Sequence, residues 1–120
     1  MTEAFIYDSI RTPRGKGRKD GSLNEVTSVA ISSYLLKEIE MRNDLDTKEV
    51  SDVIWGNVTQ IGEQGGCLAR SAVLHAKWDQ STPGLSINRF CASGLEAVNL
   101  AANQTKGSGG AYIAGGVEMM

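Results

Sequence analysis

The sequence predicts an α/β fold in which helices alternate with the mostly parallel strands of one sheet. Four short apolar segments have the composition of strands, and segments with helical spacing separate them. A connection long enough to hold a helix is what joins parallel neighbours in a sheet. The resulting order, βαβαβαβ, therefore predicts a parallel sheet with right-handed crossovers.

The first half of the chain is predicted to contain one strand and one long helix. Ala4 to Ile10 is an apolar strand candidate, and the stretch from Arg11 to Gly21 is rich in turn-forming residues. Ser22-Leu23-Asn24-Glu25 fits a capping box, from which a helix should run to about Arg42. Two apolar stripes predict extensive burial of this helix: Leu23, Val26, Ala30 and Tyr34 form one, and Ile31, Leu35 and Ile39 the other.

The second half is predicted to add three strands and two helices. Val53 to Val58 is the second strand, and Leu85 to Phe90 is the third. Apolar residues at helical spacing mark the helix between them: Leu68, Ala69, Ala72, Val73 and Ala76. The third helix should run from Ala92 to about Lys106 and stop at Gly107, before a fourth strand from Ala111 to Ala114.

Composition bounds the class of protein. The chain has 120 residues, is 41% hydrophobic and 22% charged, and suits one domain of a soluble globular protein. Its net charge of −2 argues against a nucleic-acid partner, and no apolar run approaches membrane-spanning length. Residues 1–7 lack the features of a signal peptide, so a cytoplasmic location is predicted. Cys67 and Cys91 should be free thiols, and with His75 the single histidine no metal site is predicted.

Cys91 is the residue that most directly indicates a catalytic function. It falls at the predicted turn between the third strand and the third helix. In parallel sheets the functional site lies at the carboxyl ends of the strands, where this turn belongs. Unpaired N–H groups and the helix dipole there favour a thiolate, which is the nucleophilic form of cysteine. From these residues alone, a nucleophilic cysteine and an inert packed cysteine are both open readings.

The segment around Cys91 resembles a known active-site segment. Asn88-Arg89-Phe90-Cys91-Ala92-Ser93-Gly94 is similar to that of thiolases, the acyl-CoA C-acyltransferases that include acetyl-CoA C-acetyltransferase and 3-ketoacyl-CoA thiolase. Other segments resemble thiolase landmarks in the same order: Arg11-Thr12-Pro13, Gly21-Ser22-Leu23, Trp55-Gly56-Asn57-Val58, Ala69-Arg70 and Gly115-Gly116-Val117-Glu118-Met119. The resemblance covers essentially the whole chain and implies that residues 1–120 are a partial N-terminal thiolase domain.

The resemblance implies a chemistry and a set of partners. Cys91 would be the nucleophile that takes an acyl group from a coenzyme A thioester, and its backbone N–H would help to stabilise the oxyanion. Acyl-CoA and CoA are then substrates, with no permanently bound cofactor, and the residues that contact CoA are not assigned. The whole enzyme would be a homo-oligomer, a dimer or a tetramer. The family's other catalytic groups, a histidine, an asparagine–water pair and a second cysteine, belong to its second half, so these residues alone should be inactive.

Several alternatives stay open at this point. A decarboxylating ketoacyl synthase of the same broad fold is the nearest rival, and a non-catalytic remnant that only associates with thiolase-type subunits is another. His75 is expected to face solvent or pack, and Cys67 to be a packing or interface residue. The basic residues of the 11–19 loop could meet CoA phosphates, although solvation is favoured: Arg11, Arg14, Lys16, Arg18 and Lys19. Gly107 to Gly110 is predicted to be a turn rather than a phosphate loop.

Overall fold

A computed structural model describes residues 3–16 and 18–120 and has three helices and three strands in that part of the chain. The α/β prediction is confirmed, because all strands are parallel, in the order β2-β1-β3. In chain order the elements are α1 (Ser28–Asn43), β1 (Val50–Gly56), α2 (Leu68–His75), β2 (Gly84–Ile87), α3 (Ser93–Ser108) and β3 (Ala111–Gly116), with short 3₁₀ turns at Thr47–Glu49 and Gly62–Gln64.

The central strand β1 separates two hydrophobic clusters. Successive side chains of a strand point to opposite faces, so Val53 and Trp55 enter one cluster and Ile54 enters the other. The first cluster packs α1 and α2 on one face of the sheet, with Leu36, Leu68 and further buried residues: Val50, Ala69, Ala72, Val73, Ala76 and Trp78. The second cluster packs α3 on the other face, through Ala97 and Ala101. Helices on both faces explain why the second half of β1, Val53 to Gly56, is apolar and buried.

The strand order explains why α2 and α3 lie on opposite faces. From β1 to β2 the chain moves one way across the sheet, and from β2 to β3 it returns past β1. Crossovers of the same hand that move in opposite directions must place their helices on opposite faces. The sheet is therefore doubly covered, and the carboxyl ends of all three strands meet at one edge.

The predicted capping box does not start α1. Helix α1 begins at Ser28, where the hydroxyl oxygen of the N-cap Thr27 accepts a hydrogen bond from the Ala30 backbone N–H at 3.1 Å. The Ser22–Glu25 stretch instead forms turns, closed by bonds such as Leu23 N–H to the Lys16 carbonyl at 3.2 Å. The helix ends at Asn43, one residue beyond the predicted end, with Asp44 left-handed at φ 47°.

The buried face of α1 also differs from the prediction. Leu23 and Val26 precede the helix, and Tyr34 is exposed. Ile31 of the second predicted stripe is buried, as expected. The other buried residues include the row Ser28, Ser32 and Leu36, four residues apart. Serine suits this row because its hydroxyls bind buried groups: Ser32 Oγ accepts a hydrogen bond from the indole N–H of Trp55 at 3.1 Å.

The prediction of a strand from Ala4 to Ile10 was wrong. None of the described strands pairs with this segment, and Phe5, Ile6 and Tyr7 are largely exposed. A strand exists only through ladder bonds to a partner, so apolar composition is insufficient here. The segment is tied to the end of α1 instead, where Arg42 and Asn43 donate hydrogen bonds to the Asp8 carboxylate.

Three further elements have boundaries that differ from the prediction. Strand β1 runs from Val50 to Gly56 rather than from Val53 to Val58. Strand β2 ends at Ile87 rather than at Phe90, because Phe90 adopts a left-handed conformation at φ 49° that no strand can continue. Helix α3 runs through Gly107 and ends at Ser108, and its C-cap residue Gly109 has a positive φ of 72°. Strand β3 is confirmed and extends to Gly116.

Gly56, at the end of β1, sets how closely α3 approaches the sheet. A Cβ at this position would lie 2.5 Å from the carbonyl carbon of Ser93 in the first turn of α3. We expect Gly56→Ala to displace α3 and to lower the free energy of unfolding by about 1–3 kcal/mol. The midpoint of urea unfolding, followed by tryptophan fluorescence at one protein concentration, measures this change.

Gly94→Ala is the matched control for Gly56→Ala. Gly94 is in the first turn of α3, and a Cβ there meets nothing within 4 Å. Alanine is the better helix former, so this variant should be at least as stable as the parent. Equal destabilisation of both variants would mean that close packing at Gly56 is not what matters.

Candidate active site

The carboxyl ends of the three strands are fastened to one another by backbone hydrogen bonds. The Asn57 N–H donates to the Ile87 carbonyl at 2.9 Å, which joins the end of β1 to that of β2. The Val117 N–H donates to the Gly56 carbonyl at 3.1 Å, which joins β3 to β1. The loops that follow the strands therefore lie side by side, and the loop after β2 carries Cys91. The predicted position of Cys91 at this edge is confirmed.

The turn before Cys91 is tightly bonded and includes an unusual backbone conformation. Phe90 is left-handed at φ 49°, which is a genuine outlier for a bulky aromatic residue. The Asn88 side-chain oxygen accepts a hydrogen bond from the Phe90 N–H at 2.8 Å, as an Asx turn does. The buried Ser93 hydroxyl accepts from the Arg89 N–H at 2.8 Å and donates to the Phe90 carbonyl at 2.6 Å. Surrounding bonds thus hold a conformation that costs energy, a pattern that clusters at active sites.

Cys91 is exposed and lies two residues before the first residue of α3. The N-cap residue Ala92 has no side chain that could bond the free N–H groups of the first helical turn. These N–H groups and the helix dipole are therefore left to act on an anion near the start of the helix. A thiol placed here is accessible to a substrate.

An ion pair and the hydrogen-bonded carboxylate of Glu118 lie beside this turn. The Arg89 guanidinium is 3.4 Å from the Glu96 carboxylate, in an exposed pair that contributes little to stability. The Glu118 carboxylate, after β3, is far more engaged. It accepts hydrogen bonds from the backbone N–H groups of Val58 at 2.9 Å and Thr59 at 3.2 Å. Asn57 Nδ2 donates to it at 3.2 Å.

These hydrogen bonds set the ionisation of Glu118. Partial burial pushes the pKa of its carboxyl upward, but the hydrogen bonds from Thr59, Val58 and Gln64 together outweigh it and lower the pKa below its ordinary value. A carboxyl with a lowered folded-state pKa stabilises the fold fully above its unfolded pKa. That contribution is lost as the pH falls through the folded pKa. Glu118 is therefore an anchored carboxylate at neutral pH.

Asn57 is the most deeply buried polar group at this edge. It is 1% exposed, and its Nδ2 donates to the Val117 carbonyl at 3.1 Å. Its Oδ1 finds no donor within residues 3–16 and 18–120. Asn57 thus ties β1 to the segment after β3 from inside the fold.

The structure does not place His75 with Cys91. Helix α2 runs back from the carboxyl edge of the sheet, so His75, its last residue, lies towards the opposite edge. His75 Nδ1 is 2.8 Å from Ser33 Oγ, whose single hydrogen is donated to the Ala30 carbonyl at 3.0 Å. This contact is a structural link between α1 and α2. His75 is exposed, in line with the expectation that it faces solvent or packs.

Cys67 has the packed position predicted for it, whereas the glycine-rich turn is shorter than predicted. Cys67 is half-buried at the start of α2, and its Sγ donates to the Gly84 carbonyl at 3.3 Å. Of the predicted turn from Gly107 to Gly110, Gly107 and Ser108 belong to the end of α3, and Gly109 and Gly110 turn the chain into β3. The described side chains of the 11–19 basic loop are exposed: Arg11, Arg14, Lys16, Arg18 and Lys19.

Asn88, Ser93 and Glu118 lie within the motifs identified in the sequence, but no individual role was predicted for them. Asn88 carried a usable signal, since asparagine two residues before a strained position commonly bonds that residue's N–H. Glu118 carried none, because its partners are about 60 residues earlier in the chain.

Neither a metal cluster nor a membrane span is found in the part of the chain that the structure describes. No three histidine, cysteine, aspartate or glutamate side chains there are grouped to hold a metal ion. No described helix is both long enough and apolar enough to cross a bilayer.

Comparison with known proteins adds an independent line of evidence. The family model described as thiolase, N-terminal domain, matches residues 4–120. The chain is 42% identical to a 3-ketoacyl-CoA thiolase of Colwellia psychrerythraea, covering 100% of this chain and 31% of that protein. It is 46% identical to a 3-oxoadipyl-CoA/3-oxo-5,6-dehydrosuberyl-CoA thiolase of Escherichia coli, covering 100% of this chain and 30% of that protein.

A solved structure shows the same fold. The crystal structure of the Bacillus anthracis acetyl-CoA acetyltransferase superposes with a TM-score of 0.77 and 34% sequence identity. The match covers 87% of this chain and 26% of that one. The chain thus spans less than a third of the length of the relatives it matches.

Proposed function

Because this chain belongs to the thiolase family, we propose that it supplies the nucleophile of an acyl-CoA C-acyltransferase, and that Cys91 is that nucleophile. The observation that carries the proposal is the position of Cys91: exposed, after a strained turn, and two residues before an uncapped helix. The motif match around Cys91 supports the same assignment. The family match favours a thiolase over the ketoacyl synthase alternative.

The first half-reaction forms an acyl-enzyme. The Cys91 thiolate attacks the carbonyl carbon of an acyl-CoA thioester, and the carbonyl oxygen becomes an oxyanion. Backbone N–H groups at the turn, that of Cys91 among them, are the donors we propose for this oxyanion. Collapse of the intermediate breaks the bond to the CoA sulfur, and the departing CoA thiolate takes up the proton that Cys91 gave to a base.

The second half-reaction transfers the acyl group from Cys91. In synthesis, the α-carbanion of a second acyl-CoA attacks the acyl-enzyme and yields a 3-ketoacyl-CoA. In degradation, the same steps run backwards, and free CoA accepts the acyl group. Similar proteins named 3-ketoacyl-CoA thiolase and acetyl-CoA acetyltransferase support 3-ketoacyl-CoA and acyl-CoA as the substrate class.

The proposal also includes groups outside these residues. The resemblance assigns the base and the acid to the second half of the family fold, and much of the CoA site to a loop region that follows the segment Gly115–Met119. The whole enzyme is proposed to be a cytoplasmic homo-oligomer in which this chain forms part of the N-terminal half. The family's substrates are consumed in the reaction, so no permanently bound cofactor is included.

Iodoacetamide labelling tests the nucleophile without requiring turnover. Cys91 should be alkylated about tenfold faster than Cys67, because Cys91 is exposed and lies at a helix N-terminus, whereas Cys67 is half-buried. Peptide mapping by mass spectrometry, at several times and with limiting reagent, gives both rates in one sample. In urea the two cysteines should react alike, which controls for peptide recovery. Faster labelling of Cys67 in the folded chain would contradict the assignment.

A further inference from the structure

A chain of hydrogen bonds links the segment after β3 to the turn that carries Cys91. The Glu118 carboxylate binds the N–H groups of Val58 and Thr59, as described above. The carbonyl of the same Val58 accepts a hydrogen bond from Asn88 Nδ2 at 3.4 Å. The other side-chain atom of Asn88, Oδ1, holds the Phe90 N–H at 2.8 Å. The path from Glu118 to the left-handed residue next to Cys91 is therefore continuous.

Glu118 is itself held in place from both sides. The carbonyl of Val117 accepts from Asn57 Nδ2 at 3.1 Å, and the Met119 N–H donates to Gln64 Oε1 at 2.7 Å. Gln64 is buried, and the Ser28 hydroxyl donates to the same oxygen at 3.2 Å. The backbone on both sides of Glu118 is thus held in place. The hydrogen bonds from the Val58 and Thr59 N–H groups to its carboxylate then fix the loop after β1.

We propose that Glu118 and Asn88 are positioning residues for Cys91, acting through Val58 to hold the Phe90 turn. The proposal rests on the proposed function, since it concerns the same nucleophile. Phe90 must stay left-handed for the chain to enter α3 with Cys91 at the helix start. Nothing in an aromatic side chain favours that conformation, so the bonds from Asn88 and Ser93 supply the preference. Glu118 and Val58 keep Asn88 oriented.

Because Glu118 is charged, removing its carboxylate distinguishes two roles by opposite changes in the alkylation rate of Cys91. A carboxylate that acted only as a nearby negative charge would disfavour the thiolate, so its removal would speed alkylation of Cys91. A carboxylate that positions the turn has the opposite effect. When it is removed, Cys91 spends less time at the helix start, and alkylation slows.

The experiment measures alkylation rates of Cys91 and Cys67 in four chains: the parent, Glu118→Gln, Asn88→Ala and the double variant. We expect Glu118→Gln to slow Cys91 about threefold and Asn88→Ala about tenfold, the range that a helix N-terminus contributes to an anion. The Cys67 rate should not change, because Cys67 contacts β2 rather than this turn. The double variant should be no slower than Asn88→Ala, since both residues act along one path.

Glu63→Ala is the matched control. Glu63 is an exposed carboxylate in the same loop region, and among the described residues its side chain contacts only Ser28 Oγ, at 3.2 Å. It should leave both rates unchanged. An equal fall in both cysteine rates, or additive effects in the double variant, would overturn the proposal.

The outcome also separates this inference from the proposed function. If Cys91 in the parent chain reacts no faster than Cys67, the nucleophile assignment fails and the positioning proposal fails with it. If Cys91 is fast in the parent and equally fast in Glu118→Gln, only the positioning proposal is overturned.

Discussion

Replacing Cys91 by alanine in the whole enzyme should abolish the exchange of acetyl groups between CoA thioesters, lowering the rate by about three to six orders of magnitude. Exchange requires a covalent acyl-enzyme, and alanine has no atom that can carry the acyl group. The loss should therefore appear as a fall in kcat, with CoA binding retained. Transfer of labelled acetate from acetyl-CoA to a CoA analogue measures exchange directly.

Cys67→Ala is the matched control for this loss, since it removes the other thiol of the chain. Its Sγ donates one hydrogen bond, to the Gly84 carbonyl, so the variant should keep its exchange activity with at most a modest change in stability. Exchange that survives in Cys91→Ala, or that disappears in Cys67→Ala while the fold is intact, would contradict the assignment of Cys91 as the nucleophile.

The helices and strands that the sequence predicted well are those whose signal is local. Helix α2 begins at Leu68 and β3 at Ala111, both as predicted, because spacing and composition agree there. The predicted capping box at Ser22 was wrong because of hydrogen bonds that the sequence does not show. Thr27 competes for the same role, and the turns at residues 21–25 are closed by the Lys16 carbonyl.

In the candidate site, too, the features that depend on local sequence could be predicted and those that depend on distant contacts could not. Cys91 could be located at the edge of the sheet because a strand-to-helix turn in a parallel sheet lies at the strand ends. The left-handed Phe90 could not be predicted, because sterics disfavour it and only the bonds from Asn88 and Ser93 permit it. Glu118 depends on Val58 and Thr59, about 60 residues earlier, so no motif reveals its role.

These 120 residues alone should show no thiolase turnover and should self-associate. Thiolate formation is insufficient, because the family mechanism also needs a base, an acid and most of the CoA site. Loss of groups that act as a unit costs several orders of magnitude. Helix α3 also exposes an apolar face on its outer side, where Leu95 is 65% and Val98 is 38% exposed. With Phe90 at 75% exposure before the helix, this patch should promote association and bind a hydrophobic dye.

Light scattering after size-exclusion chromatography, dye fluorescence and acetoacetyl-CoA cleavage test this prediction together. Leu95→Gln with Val98→Gln should reduce association and dye binding, because both side chains lie on the exposed face of α3. Ile61→Gln is the matched control, since Ile61 is 73% exposed but lies in the loop after β1. A monodisperse monomer that cleaves acetoacetyl-CoA at a rate typical of enzymes would contradict both parts. An inactive chain that still assembles with thiolase-type subunits would instead favour the association module, because α3 would then act by contact rather than by chemistry.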